Sequence, residues 1–449
     1  MNARILVQCG VLFVMLTSVS IAIGVGDIDT RSVPEPDDPA IAYATKPTAD
    51  PVAVLNREIE AGKVRLRFDG EQGYLRSALD ALRVPVESQM VVFSKTSVQA
   101  QRINPQNPRT LFFNDSVAIG WVHGGFIEVA AQDPRQGVIF YVLDQTPVEE
   151  TKFTRHDDCL TCHNSSNAMN VPGMLVRSNF TAPNGTTMPW LGNYLSDHRS
   201  PLSERWGGWY VTGKAGAIRH MGNAVVTNGS KPESPVVDQA FNLASLTGRF
   251  DTTAYLSPYS DIVALMVFEH QMHMMNLLTR IGWQTRYLLR NGNVHDIEVN
   301  GLADSAKDLV DYMLFVDEAP LLNKIEGTSG FAEKFSDEGP HDNRGRSLRQ
   351  FDLKHRLMRY PCSYMIYSEA FDALPPEAKD AIYQRLYMVL SGAVTGAKYA
   401  RLSRADGQAV LEILRETKKG LPDYFTSYPL VPAPPQIRID LGLPFKVQN

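Results

Sequence analysis

The residues whose types and spacing carry the most specific chemistry are Cys159-Leu160-Thr161-Cys162-His163. In a Cys-x-x-Cys-His sequence the two thiols add across the vinyl groups of a haem as thioethers, and the adjacent histidine presents a ring nitrogen to the iron. The spacing therefore predicts one covalently bound c-type haem, attached through Cys159 and Cys162 and ligated by His163.

Two other kinds of site also use a Cys-x-x-Cys pair. A zinc site needs further Cys or His pairs at close spacing, and the other cysteines of the chain form no such pair. A thioredoxin-like redox motif belongs to a βαβ unit, whereas this pair follows the charged and polar stretch 154–158. We therefore favour haem attachment over both alternatives.

The second axial ligand of the iron has candidates in two places, a loop and a helix. His220 and Met221 lie in a loop-rich stretch, and we prefer Met221 because a soft thioether suits an electron carrier in an oxidising compartment. His270 and His273 are the alternatives, on the apolar face of a predicted helix. The competing interpretations are that the loop merely packs beside the porphyrin and that the helix histidines are buried and hydrogen-bonded to Glu269 or to backbone.

The N-terminus has the composition of a secretory signal peptide. Arg4 supplies a positive charge, residues 5–23 are almost wholly apolar, and Ala22 and Gly24 are small residues of the kind that a signal peptidase recognises. We predict a signal peptide over residues 1–24 and hence a periplasmic or otherwise exported protein. The alternative is an uncleaved membrane anchor, because the apolar run approaches the ~20 residues that span a bilayer.

The cysteine count indicates whether a disulfide can form, and the net charge indicates which class of molecule the protein binds. Cys9 leaves with the signal peptide and the haem motif uses two cysteines, so we expect Cys362 to be a small buried side chain without a disulfide. A formal net charge of −5 in 449 residues gives no sign of a basic surface for nucleic acid. We expect a redox partner protein instead, and no membrane span in the mature chain unless the signal stays uncleaved.

The hydrophobic pattern predicts an α+β fold with a mostly antiparallel β region before the haem motif. Residues 25–51 are rich in Pro, Asp and Thr and are predicted to be a disordered or extended linker. An α+β region over 52–150, a loop-rich haem-binding segment over 151–235 and a helical domain over 236–449 follow. The predicted helices are 52–61, 74–82, a long helix that ends at 289 with Ser260-Asp261 as its N-terminal cap, 375–390 and 406–418. The predicted strands are 90–93, 110–113, 118–123, 126–131 and 137–143.

Several stretches resemble a family of exported bacterial single-haem proteins in which a cytochrome c domain lies inside a longer body. Besides the haem motif they are 92–97, 111–115, 171–173, 205–213, 219–223 and 360–374, and the resemblance spans most of residues 53–395. It implies a haem carried by Cys159, Cys162 and His163 and a role in electron transfer, and it implies no substrate. Small soluble cytochromes have a glycine where Asn164 stands, so we do not expect their compact three-helix fold.

Two classes of function are compatible with a single haem. An electron carrier holds the iron between His163 and a Met or His, whereas a peroxidase or small-donor oxidase keeps the distal side open beside a polar acid or base. The length of the chain favours a pocket, but a c-type peroxidase usually uses a second haem, and the sequence has no second Cys-x-x-Cys-His. We therefore favour electron transfer over the enzyme.

Overall fold

The computed structural model describes residues 33–149, 151–227, 237–292 and 301–426. The fold is α+β, as predicted: an antiparallel sheet of seven strands is built mainly from the N-terminal part, and the helices lie mainly in the C-terminal half. The predicted signal peptide and the first residues of the predicted linker, 25–32, lie outside the described residues.

The helices and strands have the following bounds. The helices are α1 Pro51–Glu60, α2 Leu75–Ala81, α3 Leu160–His163, α4 Ile262–Arg290, α5 Leu302–Met313, α6 Phe331–Asp337, α7 Glu369–Asp372, α8 Pro376–Leu390 and α9 Arg404–Thr417. The strands are β1 Met90–Val92, β2 Arg109–Phe113, β3 Val117–Val122, β4 Ile127–Asp133, β5 Gly137–Leu143, β6 Thr154–Arg155, β7 Arg177–Asn179, β8 Asn193–Leu195, β9 Trp209–Tyr210, β10 Ala224–Val226 and β11 Val237–Gln239. The large sheet has the order β6-β5-β4-β3-β2-β1-β9, and β7 with β8 and β10 with β11 form two-stranded sheets.

Alternating side chains cover both faces of the large sheet. Leu111 and Phe140 belong to one buried cluster, on what we call face A, and Phe112 and Tyr141 belong to another, on face B. Burial of both faces explains why these strands are nearly continuous apolar runs. Gly124, with a φ of 77°, makes the tight turn between β3 and β4.

Residues 33–50 pack against face B, so the disordered linker predicted there is wrong for this stretch. Ile41 and Tyr43 are buried, and the Tyr43 hydroxyl donates to a backbone carbonyl of β5 at 2.8 Å. The carboxylate of Asp50 accepts a hydrogen bond from Tyr141 at 2.8 Å. The polar composition of the segment concealed the two apolar side chains that anchor it to the sheet.

Helix α4 runs over face A. Asp261 caps it by accepting hydrogen bonds from the backbone N–H groups of Val263 at 2.8 Å and Ala264 at 3.2 Å, which confirms the predicted start. Phe268 packs on Phe113 of β2, with ring centroids 5.1 Å apart. Although α4 has 29 residues, neither it nor another helix of the described ranges is long and apolar enough to cross a membrane.

The other predicted helices and strands are found with bounds within two residues of those expected. The sequence did not predict the short helices α3 and α7, the short strands β6 to β11, or the helices α5 and α6. Helices α5 and α6 each follow a glycine in the left-handed conformation, Gly301 and Gly330, and neither has a side-chain cap. The usual signal for the start of a helix is therefore missing.

The stretch predicted to bind haem, 151–235, contributes to both edges of the large sheet. At one edge β6 pairs with β5, and at the other β9 pairs with β1. The haem motif follows directly after β6, so the sheet edge fixes where the motif begins.

Candidate functional site

The Cys-x-x-Cys-His motif lies on a short helical stretch beside the sheet. A 3₁₀ turn covers Asp157–Cys159 and passes directly into α3, which ends at His163. The backbone N–H of His156 donates to the Phe140 carbonyl at 2.8 Å and ties the start of this stretch to β5. Two thiols and one imidazole therefore project from successive turns of helical backbone, as haem attachment requires.

Both motif thiols are free. Cys162 is exposed, Cys159 is half-buried, and neither forms a disulfide; Cys362 is buried and also unpaired, as predicted. Burial, reinforced by the nearby negative charge of Glu128, raises the pKa of Cys159 to about 11. The Cys159 side chain is therefore a neutral thiol at physiological pH.

The imidazole of His163 has one nitrogen committed to the backbone. Its Nδ1 lies 2.9 Å from the carbonyl oxygen of Gly173, which can only accept, so Nδ1 carries the proton. This tautomer leaves the Nε2 lone pair for a metal. Burial lowers the pKa of His163, which favours the neutral ring that ligation needs. The ring packs on Phe140 with centroids 4.8 Å apart.

These residues fit a c-type haem. The group needs two unpaired thiols and a neutral histidine with one free nitrogen and an ordered partner on the other, and Cys159, Cys162 and His163 provide them. In the part of the chain that the structure describes, no group of three or more His, Cys, Asp or Glu could hold a bare metal ion. A haem iron takes a single ligand from the motif.

A charged pair that the sequence analysis missed lies beside the motif. Arg109 of β2 and Glu128 of β4 point to face A and form an ion pair of 2.5 Å, and the Ser97 hydroxyl donates to Glu128 at 2.6 Å. Both charges influence the pKa of His163, and Glu128 also influences that of Cys159. Strand alternation could have revealed the pair, since it places two opposite charges on the same, mostly apolar face.

The loop candidates for the second axial ligand are both buried. His220 packs between two aromatic rings at centroid distances of 5.2 and 5.3 Å, and its Nδ1 has no hydrogen-bond partner among the described residues. Burial lowers the pKa of His220 to about 4. The sulfur of Met221 accepts a hydrogen bond from the Ser178 hydroxyl at 3.5 Å. No described contact joins either candidate to His163, so the second ligand stays a prediction.

The helix candidate His270 is held by protein partners at both ring nitrogens. Its Nδ1 lies 2.8 Å from Nδ1 of His198, and its Nε2 lies 2.7 Å from the Ser363 hydroxyl. These bonds support the interpretation that His270 is a buried structural histidine. The partners expected from the sequence, Glu269 or backbone, are not the ones that hold its ring. Glu269 pairs with Arg205 instead, because neighbouring residues on a helix point in different directions.

The other helix candidate, His273, lines a cavity of about 280 Å³. Met169, from the loop after the haem motif, and Tyr312 form part of its wall. Two charged side chains also line it: Arg199, which pairs with Asp197, and Asp311, which pairs with Lys398. The lining residues come from distant parts of the sequence, so no local pattern could have grouped them.

Comparison with known proteins assigns the chain to no family. No protein-family model matches it, and neither curated proteins nor solved structures give a match. The resemblance to exported single-haem proteins therefore remains a prediction, and the site residues themselves are the basis for a function.

Proposed function

We propose that the protein is an exported c-type haem protein that transfers electrons through one haem bound by Cys159, Cys162 and His163. The observation that carries this proposal is the hydrogen bond from Nδ1 of His163 to the Gly173 carbonyl at 2.9 Å. A histidine that ligates a metal almost always donates its other ring proton in this way, which fixes the ring and raises its basicity. The motif alone does not require such a partner, so the bond is independent support.

Each residue of the site has a distinct task. When bound, the haem supplies reversible one-electron chemistry at its iron. The two thiols would hold the porphyrin covalently and His163 would ligate the iron, with its imidazole packed on the ring of Phe140. Cys162 is exposed, so this part of the motif is accessible to a redox partner protein.

We further propose Met221 as the second axial ligand, with His220 as the alternative. A thioether sulfur that accepts a hydroxyl hydrogen bond keeps a second lone pair for iron, which is compatible with the contact from Ser178. The unpartnered Nδ1 of His220 supports the alternative.

Covalent attachment can be tested on the mature protein made in a host that attaches haem c. After denaturation and acidic organic extraction, the haem should stay with the chain. The double variant Cys159→Ala, Cys162→Ala should lose it, whereas the matched variant Cys362→Ala should keep it, because that thiol is buried and lies outside the motif. Extractable haem in the wild type, or a normal holoprotein from the double variant, would overturn the proposal.

The second candidate function is the alternative predicted from the sequence, a peroxidase or small-donor oxidase with an open distal side. Such an enzyme needs a positioned acid or base across the iron from His163. The ion pair of Arg109 and Glu128 lies beside His163 itself and influences its pKa, so it does not supply that group. The optical and resonance Raman spectra separate the two functions. Low-spin, six-coordinate iron supports the carrier, and high-spin iron with an open site supports the enzyme.

A further inference from the structure

Residues 172–174, which we call the proximal loop, have every backbone polar group engaged. Gly173 N–H donates to the His163 carbonyl at 2.9 Å, and the Gly173 carbonyl accepts from the imidazole at 2.9 Å. The Pro172 carbonyl accepts from Val138 of β5 at 2.9 Å, and proline has no N–H to satisfy. Groups outside the loop therefore fix its position.

The far end of the proximal loop is held by a side chain of α4. The Oδ1 atom of Asn276 accepts from Met174 N–H at 3.0 Å, and its Nδ2 donates to the Met174 carbonyl at 2.7 Å. Asn276 is 2% exposed, so loss of these bonds leaves its buried amide group unpaired. A primary amide that pairs with both polar groups of one residue fixes the position and the orientation of that backbone.

The close approach of α4 also explains the glycine in the proximal loop. A Cβ atom at Gly173 would lie 2.2 Å from Oδ1 of Asn276, which is closer than real atoms pack, and the backbone of Gly173 is not left-handed. The glycine is therefore required by the contact with Asn276 and not by its own φ.

We propose that Asn276 is a positioning residue for the proximal haem ligand, acting through Met174 and Gly173 on the hydrogen bond that His163 donates. The inference rests on the proposed haem function. Donation from Nδ1 increases the basicity of Nε2, and a more basic ligand stabilises ferric iron over ferrous iron. Release of the proximal loop weakens the donated bond and makes the iron easier to reduce.

The test compares two variants of α4 as holoproteins by redox titration. Asn276→Leu keeps the branched shape of the side chain and removes both hydrogen bonds. Gln271→Met is the matched control, because Gln271 is also a buried amide of α4 but donates to the Asn114 carbonyl, at 2.7 Å, and not to the proximal loop. Asn276→Leu should raise the ferrous-to-ferric ratio at a fixed potential, and a tenfold rise corresponds to about +59 mV for one electron. Gln271→Met should keep the wild-type ratio even if it lowers stability.

The outcomes distinguish the two proposals. A wild-type protein without covalent haem overturns the proposed function. Covalent haem with the same potential in Asn276→Leu and in the wild type overturns the positioning role alone. If Asn276→Leu does not fold, Asn276→Ala removes the same bonds without filling the space; it should show the same positive shift, and an unchanged potential there also overturns the positioning role.

Discussion

The side chains of Arg205 and Glu269 form an ion pair of 3.2 Å with exposures of 2% and 0%. Arg205 also donates to the backbone carbonyls of His198 and Ser200. Arg205 belongs to the stretch that carries the haem motif and Glu269 belongs to α4, so the pair holds these two parts together. Burial outweighs the attraction of Arg205 and raises the pKa of Glu269 to about 8.

The raised pKa of Glu269 gives the protein a pH-dependent stability. An unfolded glutamate has a pKa of about 4.3, so folding favours the protonated carboxyl. This contribution is fully present below the unfolded pKa and is lost as the pH rises through about 8. We predict that, from about pH 5 to about pH 8, the wild type loses free energy of unfolding relative to Glu269→Gln, by at most about 1.4 kcal/mol per pH unit. Urea denaturation of both proteins across this range measures the difference, and a constant difference would contradict the prediction.

The same ion pair predicts a large cost for removing one partner. At about pH 9, above the Glu269 pKa of about 8, Glu269 is ionised. There Arg205→Ala leaves a buried charge without its cation and should lower the free energy of unfolding by about 3–5 kcal/mol. Lys152→Ala is the control, since Lys152 pairs with Glu60 at 2.9 Å with both side chains more than half exposed, and it should cost about 0–1 kcal/mol. Equal denaturation midpoints for the two variants would contradict the prediction, because removing a partner of the buried pair would then cost no more stability than removing a partner of the exposed pair.

The proposal that Met221 is the second axial ligand predicts a spectroscopic change in Met221→Ala. If Met221 ligates the iron, Met221→Ala should abolish the Met-to-iron charge-transfer band at the red end of the ferric spectrum and lower the potential, because a thioether ligand raises it. An unchanged spectrum in Met221→Ala, together with loss of the sixth ligand in His220→Ala or His270→Ala, would reassign the position.

The signal peptide predicted over residues 1–24 implies a defined N-terminus for the native protein. Its sequence should begin near Val25 or Asp27, since the small residues Ala22 and Gly24 lie at the end of the apolar run. A full-length chain that begins at Met1 in the membrane fraction would replace secretion with membrane anchorage.

Local patterns predicted the elements of this fold where the signal lies in adjacent residues. Short apolar runs predicted β1 to β5, and Asp261 predicted the start of α4. The prediction of a linker was wrong for residues 33–50 because amino-acid composition does not show that Ile41 and Tyr43 are buried against the sheet. Helix α5 was missed because a left-handed glycine, not a polar cap, precedes it.

The candidate site also has residues that a local motif identifies and residues that only the fold brings together. Five adjacent residues form the Cys-x-x-Cys-His motif, so the sequence alone is enough to propose Cys159, Cys162 and His163 as haem-binding residues. The partner of His163, Gly173, and the residue that holds its loop, Asn276, come from a loop and a distant helix. Such contacts depend on how α4 crosses face A, which no local pattern specifies.

The most direct test of the haem proposal is the intact mass of the denatured mature chain, made in a host with haem c maturation. The thioethers of Cys159 and Cys162 should survive denaturation, so the measured mass should equal that of the polypeptide plus one haem. A chain with the mass of the bare polypeptide, whose two motif thiols react fully with an alkylating reagent, would contradict it.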